Sequence, residues 1–590
     1  MTLSKNQFEV LNCLRKAEAR VTQRQISEVC DLSLGSVNAV LRDLKDKCLI
    51  RGDNSLTALG LDELKPYEVS NAIIMAAGMS SRFAPLSYER PKGVLKVKGE
   101  VLIERQIQQL LEAGIRDITV VVGYKKEEFF YLADKYGVNI LVNPDYAKKN
   151  NYYTIWLARN LLANSYICSS DDYFVDNPFD KYVYQAYYSC VYEEGYTSEY
   201  CVDLGSQNRI TRIYEGGSDS LYMLGHVYFD KNFSKTFIDI LTQEIDNPGI
   251  VGMLWEDVYA KHVDELYMIA KEYQVEKIYE FDSLDELRSF DPLFIKNVNS
   301  DVLNNIASVL HCQPEDIHGI VPLKTGLTNL SFKFEVNNSQ YVYRHPGVGT
   351  EEIISRESET FSNQIAYDLG IDTTFIYEDV EQGWKICRYI SDCVPFDYHN
   401  WIHVEKAMSL GRTLHKSGAV SQWTFDIWDK TVGIVDILAS NGRTEFEGFN
   451  SLYTMIKNIN NRLKKEDVPR VLCHNDFFDA NFLVKDDTIN LIDWEYSGMS
   501  DYASDLGTFI CCSDYSKDEV NRVLELYFGR SLTASEYRHC VGYIALSSFY
   551  WFVWALFKDM TGNPVGEYQY IWYKYALQYG QEATSLFVGE

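Results

Sequence analysis

Positive charge is scarce in this sequence. Its 56 Lys and Arg stand against 84 Asp and Glu, giving a net charge of −28. Such a chain is not a general polyanion binder, although local basic spots still suit small anions such as nucleotides. Paired cysteines are missing too. The 13 Cys are scattered, no CxxC occurs, and Cys511–Cys512 is the sole cluster. That excludes a Cys-built metal site and points to free thiols in a reducing compartment. The opening MTLSKNQFEVLNCLRK has no apolar leader core, so a cytoplasmic location is expected. There are no internal repeats and no low-complexity tracts. One long uncharged run occurs, CVGYIALSSFYWFVWALF from Cys540 to Phe557. It reaches the lower limit for a membrane span. Its aromatic content, its two Ser and its isolation read instead as a buried helix, so no membrane span is expected.

What is present needs several cores: 590 residues exceed a single domain. Residues 1–66 alternate short helical patterns with breaks. Thr22 and Ser33 are candidate N-caps for the second and third helices, and Val37, Val40, Leu41 and Leu44 give the third its apolar face. CLIRGDNSLTALG reads as two short strands around a turn. The pattern resembles the MarR-like winged helix-turn-helix class. As a DNA reader it would offer Ser33, Ser36, Asn38 and Arg42 to a groove, with Arg24 and Arg51 near phosphates. The segment is nearly neutral, with 10 Lys and Arg against 9 Asp and Glu, and Asp31, Asp43 and Asp46 oppose DNA. The alternative is a docking or dimerisation module, which would make the chain a homodimer.

From residue 70 to about 290 strands and helices alternate, which implies a mainly parallel sheet with helices on its faces. The first strand leads into AAGMSSRFAPLSYERPKG, residues 76–93. A small-residue loop leaving a buried strand lets backbone N–H groups approach phosphates. Arg82 and Lys92 add positive charge where a triphosphate would lie, and Pro91 fixes the backbone before Lys92.

This stretch resembles the sugar-phosphate and alditol-phosphate nucleotidyltransferases, with AAG-x-G-x-R followed by PK-x-L. Ser80 stands where that family has its second Gly, and Val94 where it has Leu. The stretches GYKKEEFFYLADKYGVNILVNPDYAKKNNYYTIWLARNLLANSYICSSDDYF, YTSEYCV, LWEDVYAKHV and IYEFDSLDEL are similar to lic-type bacterial CTP:phosphocholine cytidylyltransferases. The resemblance implies a Rossmann-like mixed sheet, with Ala77, Gly78 and Ser80 cradling the nucleotide and Lys92 and Arg82 acting on its phosphates. It also implies Mg²⁺ held by Asp171 and by Glu256 or the adjacent Asp257. Tyr152, Tyr153, Tyr173 and Trp255 lie near the matched motifs as candidate faces for a choline headgroup, with Glu199 as counter-charge.

The third block, 297–590, opens with the helical pattern NSDVLNNIASVL. It carries VLCHNDFFDANFLVKDDTINLIDWEYSG, residues 471–498. Phosphoryl transfer to an alcohol needs a carboxylate for the hydroxyl proton, metal ligands and a cation on the phosphates. Asp476 is the candidate base, braced by His474, and Asn481 and Asp493 are the candidate metal ligands. This is the spacing of protein-kinase-like folds, in the choline and aminoglycoside kinase variant. Upstream, TGLTNLSFKFEV would place Thr328 and Asn329 over the phosphates. Arg344 replaces the kinase Lys, paired with Glu359 or Glu357. Trp551 and Trp554, three apart on one helix face, could form a quaternary-ammonium cage with Trp494 and Tyr573, with Glu495 adding charge.

Together the resemblances imply a multidomain α/β and α+β chain. A winged helix is followed by a nucleotidyltransferase and a choline-kinase-like fold. ATP, CTP, choline and phosphocholine would be its ligands and CDP-choline its product, for decoration of surface glycans. Ethanolamine or another amino alcohol remains open as substrate, as does a choline-responsive regulator whose enzyme-like domains are sensors.

Overall fold

A computed structural model describes residues 3–17, 21–324, 329–346, 355–445, 447–562 and 564–588. The chain divides into two compact units, Met1–Ser308 with Gln313–Glu315, and Val309–Cys312 with Asp316–Glu590.

The first unit begins with three helices set by their caps. Helix α1, Lys5–Lys16, starts at a Ser4–Gln7 capping box. Helix α2, Gln23–Val29, starts at a Thr22–Gln25 box, and α3, Leu34–Asp46, at Ser33. Phe8, Leu11, Ile26, Val37, Leu41 and Leu44 close a small core between them. The expected two-stranded wing shrinks to one antiparallel bridge, Ile50 to Leu56. A helix, α4, Ala58–Leu64, stands in place of the expected strand end. Thr57 caps it by accepting the Gly60 N–H at 3.0 Å, and good helix formers follow. The module is seated on the next domain. Tyr67 and Tyr184 stack at 5.5 Å with Phe8 against both, Arg15 lies 4.7 Å from the Tyr182 ring, and Lys16 pairs with Asp180.

That domain is built on strands β1 Asn71–Ala76, β2 Ile118–Val122, β3 Asn139–Val142, β4 Ser165–Ser169, β5 Tyr187–Leu204, β6 Ile210–Phe229 and β7 Ile269–Tyr273. Their order is β7-β5-β6-β4-β1-β2-β3. Strands β1 to β4 pair in parallel, and β6 joins β4 and β5 antiparallel. β1 and β2 are almost wholly buried because the sheet is covered on both faces, so they read as continuous apolar runs. The functional loops leave the carboxyl ends of β1 and β4, where α/β sites form. The helix Asp301–Leu310, placed by the sequence at the head of the third block, lies largely in this unit. Its Val302 N–H donates to Glu89 Oε1 at 2.9 Å.

The second unit has a five-stranded antiparallel sheet of β8 His318–Lys324, β9 Asn329–Val336, β10 Ser339–Pro346, β11 Phe375–Glu378 and β12 Lys385–Arg388, ordered β8-β9-β10-β12-β11. A large helical core follows. Helix Ala534–Met560 contains the uncharged run. Among the described residues it is the one helix long and apolar enough to cross a membrane, and 78% of that stretch is buried in the protein. It passes close to helix Tyr502–Cys511 at Gly507. A Cβ there would lie 2.6 Å from Ser547 Oγ and from the Tyr543 carbonyl oxygen. We predict that Gly507→Ala forces these helices apart at a cost of about 1–3 kcal/mol, read as a lower urea midpoint. An unchanged midpoint would contradict this packing.

Candidate active sites

In the first unit, β1 delivers the small-residue loop. Ala77, Gly78, Ser80 and Ser81 line a cavity of about 480 Å³ with Asn143, Thr154, Lys148 and Lys149. Ser80 adopts φ +47°, the left-handed region where glycine is at ease, so the loop keeps its course with a strained serine. The two lysines come from the DYAKKNN stretch and add positive charge that sequence reasoning did not assign. Arg82 is exposed and pairs with Asp282 at 3.1 Å.

Lys92 is buried, its Nζ 2.8 Å from Asp171 Oδ2. Burial opposes its charge, but Asp171 and Glu280 hold its pKa above the ordinary value. Burial likewise pushes the Asp171 carboxyl up, and Lys92 with the Ser169 hydroxyl outweighs this and holds it low. Asp171, the expected first metal ligand, is therefore already engaged. The carboxylate left open is its neighbour Asp172, with neither oxygen hydrogen-bonded among the described residues. Burial, then Glu280 and Asp171, push its pKa well up.

Asp172 lines a second cavity, of about 420 Å³, with Glu199, Glu256, Glu280, Tyr188 and Trp255. Glu256 opens helix α5, Trp255–Lys261, and burial raises its pKa to about 7. Asn151 donates to it at 3.3 Å and the Tyr188 hydroxyl at 3.2 Å. Adjacent Asp257 is consumed elsewhere, accepting the Leu254 N–H and the Tyr200 hydroxyl, both at 2.7 Å. Of the two candidates, Glu256 is thus the one facing the cavity. Glu280 was missed because its signal is tertiary. Strand Ile278–Tyr279 pairs with Tyr173–Phe174 and so carries Glu280 beside the two aspartates. Burial and then Asp171 raise it to about 7. Oxygen donors with unsatisfied lone pairs suit a hard divalent cation. Tyr188 and Trp255 stack at 5.7 Å, and Trp255, like Tyr152 and Tyr173, is buried in packing.

In the second unit, strand β13, Val471–Cys473, leads into the candidate catalytic loop. Strands β14 Phe482–Lys485 and β15 Thr488–Leu491 form the expected hairpin that returns Asp493, and β16 Gly498–Ser500 pairs back onto β13. Asn481 Nδ2 donates to Asp476 Oδ2 at 2.9 Å. Burial, then Asp493, raise Asp476 to about 8. His474 donates through Nε2 to the Ile492 carbonyl and accepts the Asp476 N–H, so it is held neutral. The loop hangs on Asp505, which sequence reasoning missed. This fully buried carboxylate accepts the N–H groups of His474 at 2.9 Å and Asn475 at 2.6 Å, and meets His415 Nε2 at 2.9 Å.

Arg344, on β10, bonds Glu359 Oε2 at 3.0 Å and Asp493 Oδ1 at 2.9 Å. Glu359 lies on helix α6, Arg356–Asp368, whereas Glu357 bonds the capping residue Ser355. Lys385, on β12, also reaches Glu359, at 2.7 Å. Burial pushes Glu359 up, and Lys385 and Arg344 bring it down to about 2. Thr328 lies outside the described residues, as does the side chain of Asn329.

The cage is redrawn. Trp494 is fully buried, its indole N–H donating to the Leu491 carbonyl at 3.1 Å and its ring against His474 at 4.6 Å, so it offers no face to a ligand. Glu495 lies 3.8 Å from Arg344, in the ionic cluster. Tyr573 packs on Phe552 and lines another cavity with Tyr570 and Glu447. Trp551 and Trp554 do meet, edge-on at 5.4 Å, and their partner is Trp572, 5.8 Å from Trp551. Phe478, two residues after Asp476, lies 6.3 Å from Trp551 and ties this cluster to the catalytic loop.

Asp505→Ala strands two buried N–H groups and His415. We predict a loss of about 3 kcal/mol or more, read as a lower unfolding midpoint of the second unit, with catalysis in the first unit unchanged. A midpoint within experimental error of the native one would contradict the anchoring role.

Comparison with known proteins places these geometries. Residues 3–51 match the winged helix-turn-helix DNA-binding family, 72–160 the MobA-like NTP transferase domain, and 385–524 the choline/ethanolamine kinase family. The choline-phosphate cytidylyltransferase of Streptococcus pneumoniae is 32% identical over 228 residues, covering 39% of this chain and 99% of the relative. A 2-aminoethylphosphonate cytidylyltransferase of Lancefieldella rimae is 36% identical over 232 residues, covering 38% of this chain and 93% of the relative. The protein LicA of Haemophilus influenzae is 25% identical over 259 residues, 41% of this chain and 94% of its own length. Through its middle domain the chain therefore belongs to the bacterial choline-phosphate cytidylyltransferase family, fused in lic-type fashion to an N-terminal winged helix and a C-terminal choline/ethanolamine kinase domain.

Proposed function

We propose that the second unit phosphorylates choline with ATP and that the first couples the resulting phosphocholine to CTP, releasing pyrophosphate. One chain then makes CDP-choline. The observation that carries this is the pairing, in each unit, of a buried carboxylate cluster with an aromatic surface. Phosphate chemistry needs the first, and a quaternary ammonium group needs the second. The functional domains proposed are 1–66, 70–290 and 297–590, the last beginning with a helix, Asp301–Leu310, that bonds the second through Val302 and Glu89.

In the kinase reaction Asp476 takes the hydroxyl proton of choline, and Asn481 orients the carboxylate. Arg344 turns to the ATP phosphates. Trp551, Trp554 and Trp572 present faces to the trimethylammonium group. Asp493, Asn481 and Glu495 would hold Mg²⁺, which when bound neutralises charge on the nucleotide. In the cytidylyltransferase an oxygen of phosphocholine attacks the α-phosphorus of CTP and pyrophosphate departs. Lys92 and Arg82 draw charge from the phosphates, and the Ala77–Ser80 loop holds them. Asp171, Asp172, Glu256 and Glu280 would hold Mg²⁺, and Tyr188 and Glu199 receive the headgroup, with Trp255 stacked behind Tyr188. The winged helix presents Asn38 and Arg42 for DNA. The reactions belong in the cytoplasm, where ATP and CTP are made.

A second reading keeps both reactions and changes the amine. It is favoured by the 36% identity to a 2-aminoethylphosphonate cytidylyltransferase and by the five carboxylates of the cavity, which suit a primary ammonium group equally well. Competition between choline, ethanolamine and 2-aminoethylphosphonate separates the two.

Three outcomes are expected. Asp172→Asn abolishes CTP turnover and leaves choline phosphorylation within about twofold; joint loss would refute independent sites. Trp551→Ala raises the choline KM about tenfold or more at unchanged ATP KM; an unchanged choline KM would refute the cage. Because Asp476 acts ionised and its pKa is raised to about 8, kcat/KM for choline should climb with pH, by up to tenfold per unit, and level off above about 8. A flat profile from about pH 6 to 9 would remove Asp476 from the role of base.

A further inference from the structure

Lys385 has no part in the kinase mechanism drawn so far, yet it occupies its ionic centre. In the antiparallel pair of β10 and β12, Lys385 stands directly opposite Arg344. Directly opposed residues point to the same face of a sheet, and like charges there repel. Both side chains converge on one carboxylate. Lys385 Nζ lies 2.7 Å from Glu359 Oε1, and Arg344 Nη2 lies 2.9 Å from the same oxygen and 3.0 Å from Oε2. The Lys385 and Glu359 side chains are 8% and 2% exposed.

The two cations differ in what else they do. Arg344 divides itself between Glu359 and Asp493. Among the described residues, Lys385 Nζ hydrogen-bonds to Glu359 alone. A lysine ammonium is a compact point charge suited to hold one carboxylate. A guanidinium can address two groups at once, or a phosphate in bidentate fashion. Without Lys385, Glu359 would be a buried anion with Arg344 as its sole cation. Arg344 would then be needed to neutralise it, since an unpaired buried charge is strongly disfavoured.

We propose that Lys385 is a positioning residue of the kinase. It is the standing partner of Glu359, fixing helix α6 and leaving Arg344 free to turn toward nucleotide phosphate. The inference rests on the kinase reading of this unit. It adds to that reading a second buried cation, with a role different from that of the first.

The test uses the full chain carrying Lys385→Met or Lys385→Arg. ATP affinity is measured directly by calorimetric titration, and ATP and choline KM values from phosphocholine formation. Lys385→Met should weaken ATP binding and raise the ATP KM about tenfold or more, with the choline KM within about twofold. Lys385→Arg, which keeps the charge, should restore most of the ATP affinity. ATP binding by Lys385→Met within about twofold of native would overturn the proposal. So would a fall in kcat and thermal midpoint at unchanged ATP KM, which would make Lys385 a structural residue only. If the native chain binds ATP but does not phosphorylate choline, the choline reading fails alone, and the ATP titration still decides the role of Lys385.

Discussion

A carboxylate taken out of water must be met by a cation or by N–H groups, or it gives up its charge. That constraint organises both units. Glu359 is met by two cations and stays ionised down to about pH 2. Asp505 is met by two backbone N–H groups and a histidine, and so fixes the loop that carries Asp476. Asp171 is met by Lys92. Asp172, Glu256, Glu280, Asp476 and Glu495 are not fully met, and burial raises each of them. In the proposed sites the unmet carboxylates are the ones left available to a cation or a substrate proton.

The folds put the unsatisfied groups where substrates can reach them. Strands β1 and β4 end side by side in the middle of the sheet, so the phosphate loop and the Asp171–Asp172 pair meet at one edge. In the second unit the β14–β15 hairpin spans few residues, yet it returns Asp493 beside Arg344. The aromatic surfaces follow a similar logic. Trp551, Trp554 and Trp572 lie on neighbouring helices, next to the loop carrying Asp476. The winged helix, whatever it reads, is held to the transferase domain by Phe8, Tyr67 and Tyr184.

Much of this was legible in the sequence, and the limits have physical causes. The order of domains, the spacing from Asp476 to Asp493 and the partnership of Arg344 with Glu359 are local or strongly patterned. Residues supplied by tertiary pairing were not legible. Glu280 arrives through a two-residue strand pair, Lys385 through cross-strand register, and Asp505 through a buried helix with no motif of its own. Trp494 was misplaced because an aromatic beside a metal-ligand candidate reads alike whether it faces a ligand or the core. Only the Leu491 carbonyl and the His474 ring decide for the core. Tyr573 packs on Phe552, while its neighbour Trp572 meets Trp551, since on a helix one step turns the side chain about 100°. The end of the expected second wing strand became a helix because Thr57 caps the turn that follows it.

The central claim is that two acidic–aromatic sites in one chain act in series on one amine. The most direct measurement follows phosphorus NMR spectra of the full chain with choline, ATP, CTP and Mg²⁺. The account predicts that phosphocholine appears first, then declines as CDP-choline and pyrophosphate rise together. Persistent phosphocholine with no consumption of CTP, or no product from choline at all, would contradict it.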